Sequence, residues 1–378
     1  MTAYRYVDSA AALREVVAAA KTEPLLAVDT EAASFHRYVD RVYLIQLSTR
    51  QSTAIIDPLA LPDLAPLGDL LAEPHVEKVF HDADYDLRIL DRDYKFRSRH
   101  LFDTRVAAQL AGEPAIGLAA LVRQYLGITL AKVHQRADWS RRPLPPEMLE
   151  YAAADTRHLP ALRDALTARL QSLDRLAWVE EECQRLEALR WSGDGTAGGT
   201  SEAFHRVKGA KALSPRQLGA LRELFIWRDA VAAQQDKALF RIIGNDALLA
   251  VSQALPRSNA ALGQIRGLPA TLARRHGTAL LAAVDRALTL PERELPVRQR
   301  GPRQPRDPEF DARVERLKTA RNQVAERLGL DPGVLCGKPT LEAIARARPK
   351  DRTRLAAVEG LRRWQAAVLS DALLPVLP

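Results

Sequence analysis

Over its first 190 residues the chain alternates short apolar runs with longer segments in which apolar residues recur every three or four positions. The short runs are typical of buried strands, and the longer segments are typical of amphipathic helices. Their alternation predicts a mixed α/β sheet, in which two neighbouring strands form a hairpin. The predicted strands are residues 25–31, 42–47, 53–57, 78–81 and 100–104, and the predicted helices are residues 9–21, 67–71, 82–90, 104–110, 117–126 and a segment after Pro146.

The run from Leu25 to Glu31 differs from the other strands because its apolar part ends in two carboxylates. Side chains alternate along a strand, so Asp29 and Glu31 are predicted to share one face, with Thr30 on the other. Two like charges side by side repel unless a cation lies between them, and oxygen ligands suit a divalent cation. The alternative is a strand end that runs into an acidic loop.

More carboxylates follow the strand at 78–81. Asp82 and Asp84 fall in the first turns of a predicted helix, where the helix dipole favours negative charge, so capping and solvation explain them. Asp86 lies one turn before two apolar helix residues and is predicted to face the sheet, where a carboxylate needs a partner. For Asp103 we predict a role as a helix N-cap.

The predicted helix after Pro146 carries Tyr151 and Asp155, which are four residues apart and therefore lie on one face. The three residues between them are alanines, which leave room for close approach to a sheet. By itself a tyrosine and an aspartate at this spacing are most often structural.

The net charge of +8 and the isoelectric point near 9.6 favour a polyanionic partner such as nucleic acid. Most of the basic residues are arginine, however, which coding bias alone could produce. Arg136, Arg141 and Arg142 surround Trp139 in a polar stretch that is either a nucleic-acid-facing loop or a solvated connector.

Two cysteines far apart argue against a disulfide scaffold or a zinc site. No apolar run approaches the roughly 20 residues of a membrane span, and the N-terminus does not resemble a signal peptide. We therefore expect an intracellular, cytoplasmic protein.

The second half of the chain contains two predicted linkers, a glycine-rich segment at 191–206 and a proline- and arginine-rich segment at 291–309. An internal repeat accompanies them, since a shift of 93 residues carries Pro256 onto Pro349 and Gly267 onto Gly360. The repeat predicts two similar small helical domains. The predicted domains are residues 1–190, 207–290 and 310–378.

Three motifs in order resemble the signature of the DEDD exonuclease superfamily in its tyrosine-bearing branch. These motifs are residues 29–31, 81–86 and 151–155. The chain resembles the bacterial ribonuclease D family in particular, through the segments 44–47, 56–59, 138–144 and 150–155. The repeat resembles the HRDC domain, a helical module of RecQ-type helicases and ribonuclease D, and the first copy, with Trp227–Arg228 and residues 241–243, is the better match.

These resemblances imply an α/β ribonuclease H-like exonuclease domain with a mixed sheet, followed by two small all-α helical domains. They also imply two divalent ions, Mg²⁺ or Mn²⁺, with Asp29 bridging both, Glu31 and Asp155 on the water-bearing ion, and Asp86 acting through bound water. Tyr151 would orient the attacking water, because a phenol with a pKa near 10 is a poor base.

His158 is the other candidate for the Tyr151 role, since a related branch uses histidine and position 158 lies two helical turns beyond Tyr151. We favour Tyr151, because its spacing from Asp155 fits the family and His158 falls beyond the aspartate. Residues predicted to contact the substrate are Phe35, Gln46, His81, Arg136, Trp139 and Arg141.

The predicted function is a 3′ to 5′ exoribonuclease that releases nucleoside 5′-monophosphates, in the 3′ maturation of tRNA precursors and other structured RNA. The predicted partner is RNA with a single-stranded 3′ end, and we favour a monomer. One alternative is a DNA exonuclease of repair or proofreading type, because nothing in the motifs reads the 2′-hydroxyl. Another is a non-catalytic nucleic-acid-binding protein on a nuclease fold.

The helical tail would bind RNA or only shape the entrance of the site, and Trp227 and Trp364 are predicted core residues.

Overall fold

The computed structural model describes residues 4–131, 133–193, 202–296 and 307–377. Within these residues the first half of the chain forms a six-stranded sheet flanked by helices. The strands are β1 (Arg5–Val7), β2 (Leu25–Ala32), β3 (Val42–Ser48), β4 (Thr53–Ile56), β5 (Glu77–Phe80) and β6 (Leu101–Asp103). The helices of this sheet domain are α1 (Ala10–Ala20), α2 (Ala65–Ala72), α3 (Asp84–Tyr94), α4 (Thr104–Ala111), α5 (Leu118–Leu126), α6 (Pro146–Arg157), α7 (Leu159–Ser172) and α8 (Leu176–Glu187).

The second half of the chain is helical in its described residues. The first helical domain (202–296) contains α9 (Pro215–Gln235), α10 (Leu239–Ile242), α11 (Asn245–Ala254), α12 (Asn259–Gly263) and α13 (Ala270–Thr289). The second helical domain (307–377) contains α14 (Pro308–Leu328), α15 (Pro332–Leu335), α16 (Lys338–Ala347), α17 (Arg352–Ala356) and α18 (Arg363–Leu373). A search of the described helices finds no segment with the length and apolar character of a membrane span.

The sheet has the strand order β1-β4-β3-β2-β5-β6. β2 pairs antiparallel with β3 and parallel with β5, so the prediction of a mixed sheet is confirmed. Its first four residues are buried, because helices cover both faces of the sheet there. The parallel register places Val79 beside Ala27, so the chain leaves β5 close to the level of Asp29.

β1 is a strand that the hydrophobic pattern does not reveal. It has three residues and pairs in parallel with β4 at the edge of the sheet. Of its side chains only that of Val7 is fully buried, so no apolar run marks the strand. The hairpin of β3 and β4 was predicted, and its antiparallel register confirms it.

Equivalent contacts in the two helical domains confirm the repeat. Arg228 donates to the carbonyl of Ile243 at 3.2 Å, and Arg321 donates to the carbonyl of Cys336, in each case 15 residues further along the chain. Both arginines are buried. The left-handed residues that follow α11 and α16, Leu255 and Arg348, are also related by the shift of 93 residues.

The second helical domain packs directly on the sheet domain, because apolar side chains of both form one buried cluster. Trp364 stacks on Trp178 of α8 with 4.7 Å between ring centroids. The Glu181 carboxylate accepts the backbone N–H groups of Arg363 and Trp364 at 2.8 and 3.1 Å, at the start of α18. By contrast, the first helical domain has a buried cluster of its own.

About half of each predicted linker falls outside the described residues, which omit 194–201 and 297–306. Described parts of the predicted linkers include a 3-10 helix at Glu292–Glu294 and the start of α14. The predicted domain limits, 1–190, 207–290 and 310–378, therefore stay predictions.

Replacing Trp364 tests whether the second helical domain stabilises the sheet domain. Trp364 is 5% exposed and its indole N–H donates to Glu182 at 2.9 Å, so Trp364→Ala removes a buried ring and a hydrogen bond. We expect a loss of about 3–5 kcal/mol in unfolding free energy, measured by circular dichroism in denaturant. Hydrogen exchange should also rise in α8.

Trp227→Ala is the matched control, because Trp227 packs within the first helical domain against His276. It should leave the exchange of α8 unchanged. Unaltered protection of α8 in Trp364→Ala would show that the two domains fold independently.

Candidate active site

Three carboxylates from two elements meet at the end of β2. Oxygens of Asp29, Glu31 and Asp155 lie within 4.8 Å of one another, and all three side chains are partly buried. Asp29 and Glu31 alternate along β2, as predicted, and α6 brings Asp155 to the same face. The close approach of α6 depends on Ala152 and Ala153, which are fully buried, and a hydroxyl contact of 2.8 Å between Ser48 and Thr156 ties the helix to the sheet.

The pKa values of all three carboxyl groups are raised. Removal from water raises the pKa of Asp29 well above its usual range, and the charges of Asp86 and Asp155 raise it further. Burial also raises the pKa of Glu31, again with help from its neighbours. For Asp155 burial raises the pKa to about 7, although its contact with Tyr151 acts in the opposite direction. The fold thus places the three carboxyl groups where water stabilises their charged form poorly.

Asp86 lies beside this cluster rather than in it. The Thr30 hydroxyl donates to the Asp86 carboxylate from the opposite face of β2, which confirms that Asp86 is buried against the sheet and has a partner. Burial raises the pKa of Asp86 to about 7. Because its charge also raises the pKa of Asp29, Asp86 lies within electrostatic reach of the three clustered carboxylates.

Asp103 fixes the turn that leads into α3. Its carboxylate accepts the N–H groups of Arg105 and Val106 at 2.8 and 3.1 Å, so the predicted N-cap of α4 is confirmed. The same carboxylate accepts the N–H groups of Asp82 and Ala83 at 3.1 and 2.7 Å. One buried side chain therefore holds together the starts of two helices that border the carboxylate cluster.

Tyr151 faces the cluster from the preceding turn of α6. Burial, followed by the charges of Asp155 and Glu31, raises the pKa of Tyr151 above its ordinary value. The phenol therefore keeps its proton at neutral pH. His158, the other candidate for this role, is the C-cap residue of α6 and lies one residue beyond its last helical residue. The choice of Tyr151 over His158 stays a prediction.

A cavity of about 360 Å³ opens beside the carboxylates. Its polar lining includes His81, Asp82, Arg105 and Gln135 together with Asp29, Tyr151 and Asp155. Arg105 and Gln135 were not predicted, since a lone arginine in a first helical turn and a loop glutamine carry no pattern that distinguishes them from surface residues. Arg105 forms an ion pair with Asp82 at the wall of the cavity.

His81 presents a hydrogen-bond acceptor in this cavity. Its Nδ1 lies 2.9 Å from the Thr104 hydroxyl, which itself donates to the carbonyl of Phe80 at 3.0 Å. The hydroxyl has one proton, so Nδ1 must donate and Nε2 is left as the acceptor. Burial lowers the pKa of His81 to about 4, and the ring is therefore neutral at pH 7.

The other predicted substrate residues divide into exposed and buried ones. Phe35 is 42% exposed, the Arg136 guanidinium stacks on its ring at 5.2 Å, and the Arg141 side chain is 76% exposed. In contrast, Trp139 is 1% exposed and the Gln46 side chain is completely buried. Their positions leave these two side chains no surface for a direct contact with RNA.

Arg142 has a structural role. Its guanidinium donates to both carboxylate oxygens of Asp57 at 2.6 and 2.8 Å and to the carbonyls of Tyr43 and Trp139, each at 2.8 Å. Of the three arginines in the basic stretch, Arg142 thus anchors the chain to the sheet, while Arg136 and Arg141 lie at the surface.

The residues of the cluster fit a divalent cation. Carboxylate oxygens are the ligands that Mg²⁺ prefers, and a cation would offset the repulsion among three close negative charges. Gln46 pairs in register with Asp29, so their side chains share one face, and among the described residues the buried amide of Gln46 has no hydrogen-bond partner. An unsatisfied amide beside Asp29 fits a site completed by an ion and its water.

Two family models match this chain. A family model described as 3′-5′ exonuclease matches residues 4–171, and the HRDC domain model matches residues 217–284 and 310–377. Ribonuclease D of Granulibacter bethesdensis is 33% identical over 363 residues, which cover 93% of this chain and 87% of that protein.

Two solved structures are similar over long stretches. The crystal structure of Escherichia coli RNase D superposes with a TM-score of 0.72 at 28% identity, covering 99% of this chain and 98% of the other. The catalytic core of RRP6 from Trypanosoma brucei superposes with a TM-score of 0.65 at 31% identity, covering 75% and 79%.

Charge repulsion in the cluster predicts that Asp155→Asn stabilises the metal-free protein. At pH 8, in the presence of a chelator, we expect a gain of about 1–3 kcal/mol in unfolding free energy, because one of three close charges is removed. The folded-state pKa of about 7 lies above the unfolded value, so ionised Asp155 destabilises the fold as the pH rises through that range. The gain should therefore shrink as the pH falls below 7 and disappear only below about pH 4, the pKa of an aspartate in the unfolded chain. Added Mn²⁺ should stabilise the original protein more than the variant.

Asp164→Asn is the control for this measurement. Asp164 pairs with Arg50 at 2.6 Å, and that hydrogen bond lowers its pKa, so its replacement should give no gain. If Asp155→Asn also fails to stabilise the protein at pH 8, the carboxylates do not repel one another as argued.

Proposed function

Since this chain belongs to the ribonuclease D family, it is a metal-dependent 3′ to 5′ exoribonuclease, and we propose that its active site consists of Asp29, Glu31, Asp86, Tyr151 and Asp155. The observation that carries this proposal is the convergence of three carboxylates within 4.8 Å of one another. Asp29 and Asp155 line a cavity of about 360 Å³, which is within the range of small-molecule sites and suits a single nucleotide.

We propose that Asp29, Glu31 and Asp155 hold two Mg²⁺ or Mn²⁺ ions and that Asp86 acts on them through water. Bound there, the ions would acidify a water molecule and offset the charge that develops on the scissile phosphate. Tyr151 keeps its proton, so its hydroxyl orients the attacking water as a hydrogen-bond partner and does not act as a base. The buried amide of Gln46, which shares a sheet face with Asp29, would bind water held in the site.

The substrate we propose is RNA with a single-stranded 3′ end, in particular tRNA precursors. The solved Escherichia coli relative is described as an exoribonuclease involved in structured RNA processing. The exposed Arg136 and Arg141 lie on the side of the loop that faces solvent, where they can contact phosphates. We also propose that the protein acts as a monomer.

His81 is a candidate for the residue that distinguishes RNA from DNA. The neutral ring offers Nε2 as an acceptor in the cavity that lies next to the carboxylates. A ribose 2′-hydroxyl can donate to such an acceptor, whereas a deoxyribose has no donor at this position. We propose that His81 accepts this hydrogen bond from the terminal nucleotide.

Amide substitutions test the roles of the carboxylates. Asp29→Asn should lower kcat by about 10³-fold or more, because it removes a charged ligand at the centre of the cluster. Asp86→Asn should cost about 10- to 100-fold, as for residues that act on a metal through an intermediate. The release of 5′-monophosphates from a 3′-extended RNA with Mn²⁺ measures both.

Wild-type protein that binds this RNA without releasing mononucleotides would support a non-catalytic nucleic-acid-binding protein. Equal loss in the two variants would contradict the separate roles of Asp29 and Asp86.

Substrates with an altered 3′-terminal sugar test the role of His81. Replacing the terminal ribose by 2′-deoxyribose should lower kcat/KM about two- to tenfold for the wild-type enzyme, the usual worth of one neutral hydrogen bond. In His81→Ala the same replacement should have no effect. His81→Gln, whose amide oxygen can accept, should restore part of the discrimination. An unchanged discrimination in His81→Ala would assign the preference for RNA to other groups.

A further inference from the structure

The segment that follows β2, residues 33–41, connects the proposed active site to the first helical domain. Arg37 forms an ion pair with Asp236 at 3.2 Å, and the Tyr38 hydroxyl donates to Asp229 at 3.0 Å. The backbone N–H of Ala238 donates to the carbonyl of His36 at 3.3 Å. The first helical domain is therefore attached to the chain immediately after the strand that carries Asp29 and Glu31.

The same segment is held from its other side by the loop before α6. His36 Nε2 lies 2.9 Å from the carbonyl of Arg136, and Arg37 donates to the Ser140 hydroxyl at 2.6 Å. Arg37 also pairs with Asp138 at 3.6 Å. Bonds to both neighbours fix the position of the segment relative to the active site.

Two exposed aromatic rings meet at this junction. Phe35 of the segment and Phe240 of α10 pair edge to face, with 6.1 Å between ring centroids and an angle of 73° between ring planes. They are 42% and 55% exposed, which is unusual for phenylalanine that serves only packing. The contact leaves a large part of each ring accessible to a ligand.

Two arginines contact Phe35 of this aromatic pair. The Arg136 guanidinium lies over the Phe35 ring at 5.2 Å, and the Arg241 guanidinium donates to the carbonyl of Phe35. Among the described residues no carboxylate pairs with either arginine. Exposed aromatic rings beside arginines that lack a carboxylate partner are an arrangement that suits single-stranded nucleic acid, through base stacking and phosphate contacts.

The pair also borders the proposed active site along the chain. Phe35 is four residues beyond Glu31, and Arg136 follows Gln135, which lines the cavity. These residues are therefore within reach of a strand of RNA whose terminal nucleotide occupies the cavity.

We propose that Phe240 of the first helical domain, together with Phe35, stacks on bases that precede the terminal nucleotide of the RNA, while Arg136 and Arg241 contact the backbone. This inference rests on the proposed function of the neighbouring carboxylates. It gives the first helical domain a direct part in substrate binding. The second domain has no equivalent pair, because the shift of 93 residues places Gly333 and Val334 at the positions of Phe240 and Arg241.

The test compares RNA substrates of ten and two nucleotides. Stacking of one base on an aromatic side chain corresponds to a change of about 5- to 100-fold in binding. In Phe240→Ala we expect the ratio of kcat/KM between the long and the short RNA to fall by that factor, because KM for the long RNA rises.

Phe240→Trp should keep the ratio and Phe240→Leu should not. Ile226→Ala, which removes another exposed apolar side chain of the same domain, is the control and should behave as wild type.

A second measurement follows stacking without turnover. RNA that carries 2-aminopurine at successive positions from the 3′ end is bound to Asp29→Asn protein, and the fluorescence of the probe is recorded with and without Phe240→Ala. We expect quenching at an internal position that is lost in the double variant.

The possible failures are distinguishable. If wild-type protein with Mn²⁺ releases no mononucleotides from either RNA, the proposed active site is wrong. If it does so and Phe240→Ala changes both substrates equally, Phe240 only positions the segment 33–41 and the stacking inference is overturned. An unchanged quenching pattern overturns it as well.

Discussion

Mutual repulsion among three carboxylates is the constraint on which the rest of the sheet domain depends. Oxygens of Asp29, Glu31 and Asp155 lie within 4.8 Å of one another, and burial raises the pKa of each. Such a cluster is unfavourable in the absence of a cation, so other contacts must hold it together. Strand β2 supplies a rigid base by pairing on both sides, and small alanines let α6 approach it closely. A cation bound between the three carboxylates would recover the stability that the domain loses to their repulsion.

The two helical domains share a framework but attach to the sheet domain differently. A buried arginine reaches the carbonyl 15 residues ahead in each copy, which preserves the repeat. The second copy joins the apolar core of the sheet domain through Trp364 and Trp178. The first copy keeps its own core and contacts the segment 33–41 through ion pairs and an exposed aromatic pair. The two copies thus keep the same framework but differ in their surface residues. The second copy stabilises the sheet domain, and the first lies beside the proposed path of the RNA.

Local patterns in the sequence predict those features whose physical cause is local. Alternation places Asp29 and Glu31 on one face, helical spacing places Tyr151 near Asp155, and the short polar turn predicts the hairpin. Features decided by distant parts of the chain escape such patterns: β1 is recognisable only by its pairing with β4, and Trp139 lies in a polar stretch yet is buried because Arg142 binds Asp57. The contact between Phe35 and Phe240, whose positions are 205 residues apart, depends on the docking of a whole domain.

The distribution of contacts explains how one site can act on successive nucleotides of any sequence. After each cleavage the new 3′ end must move into the cavity, so contacts that read base edges would make some steps slow. In the proposed site the carboxylates and His81 act instead on features common to every ribonucleotide, namely the phosphate and the ribose hydroxyls. Outside the cavity, stacking on aromatic rings tolerates all four bases. Stacking needs unpaired bases, however, so a duplex that reaches Phe35 and Phe240 cannot use them. If the two rings stack on bases as proposed, trimming should slow as the enzyme approaches a stable stem.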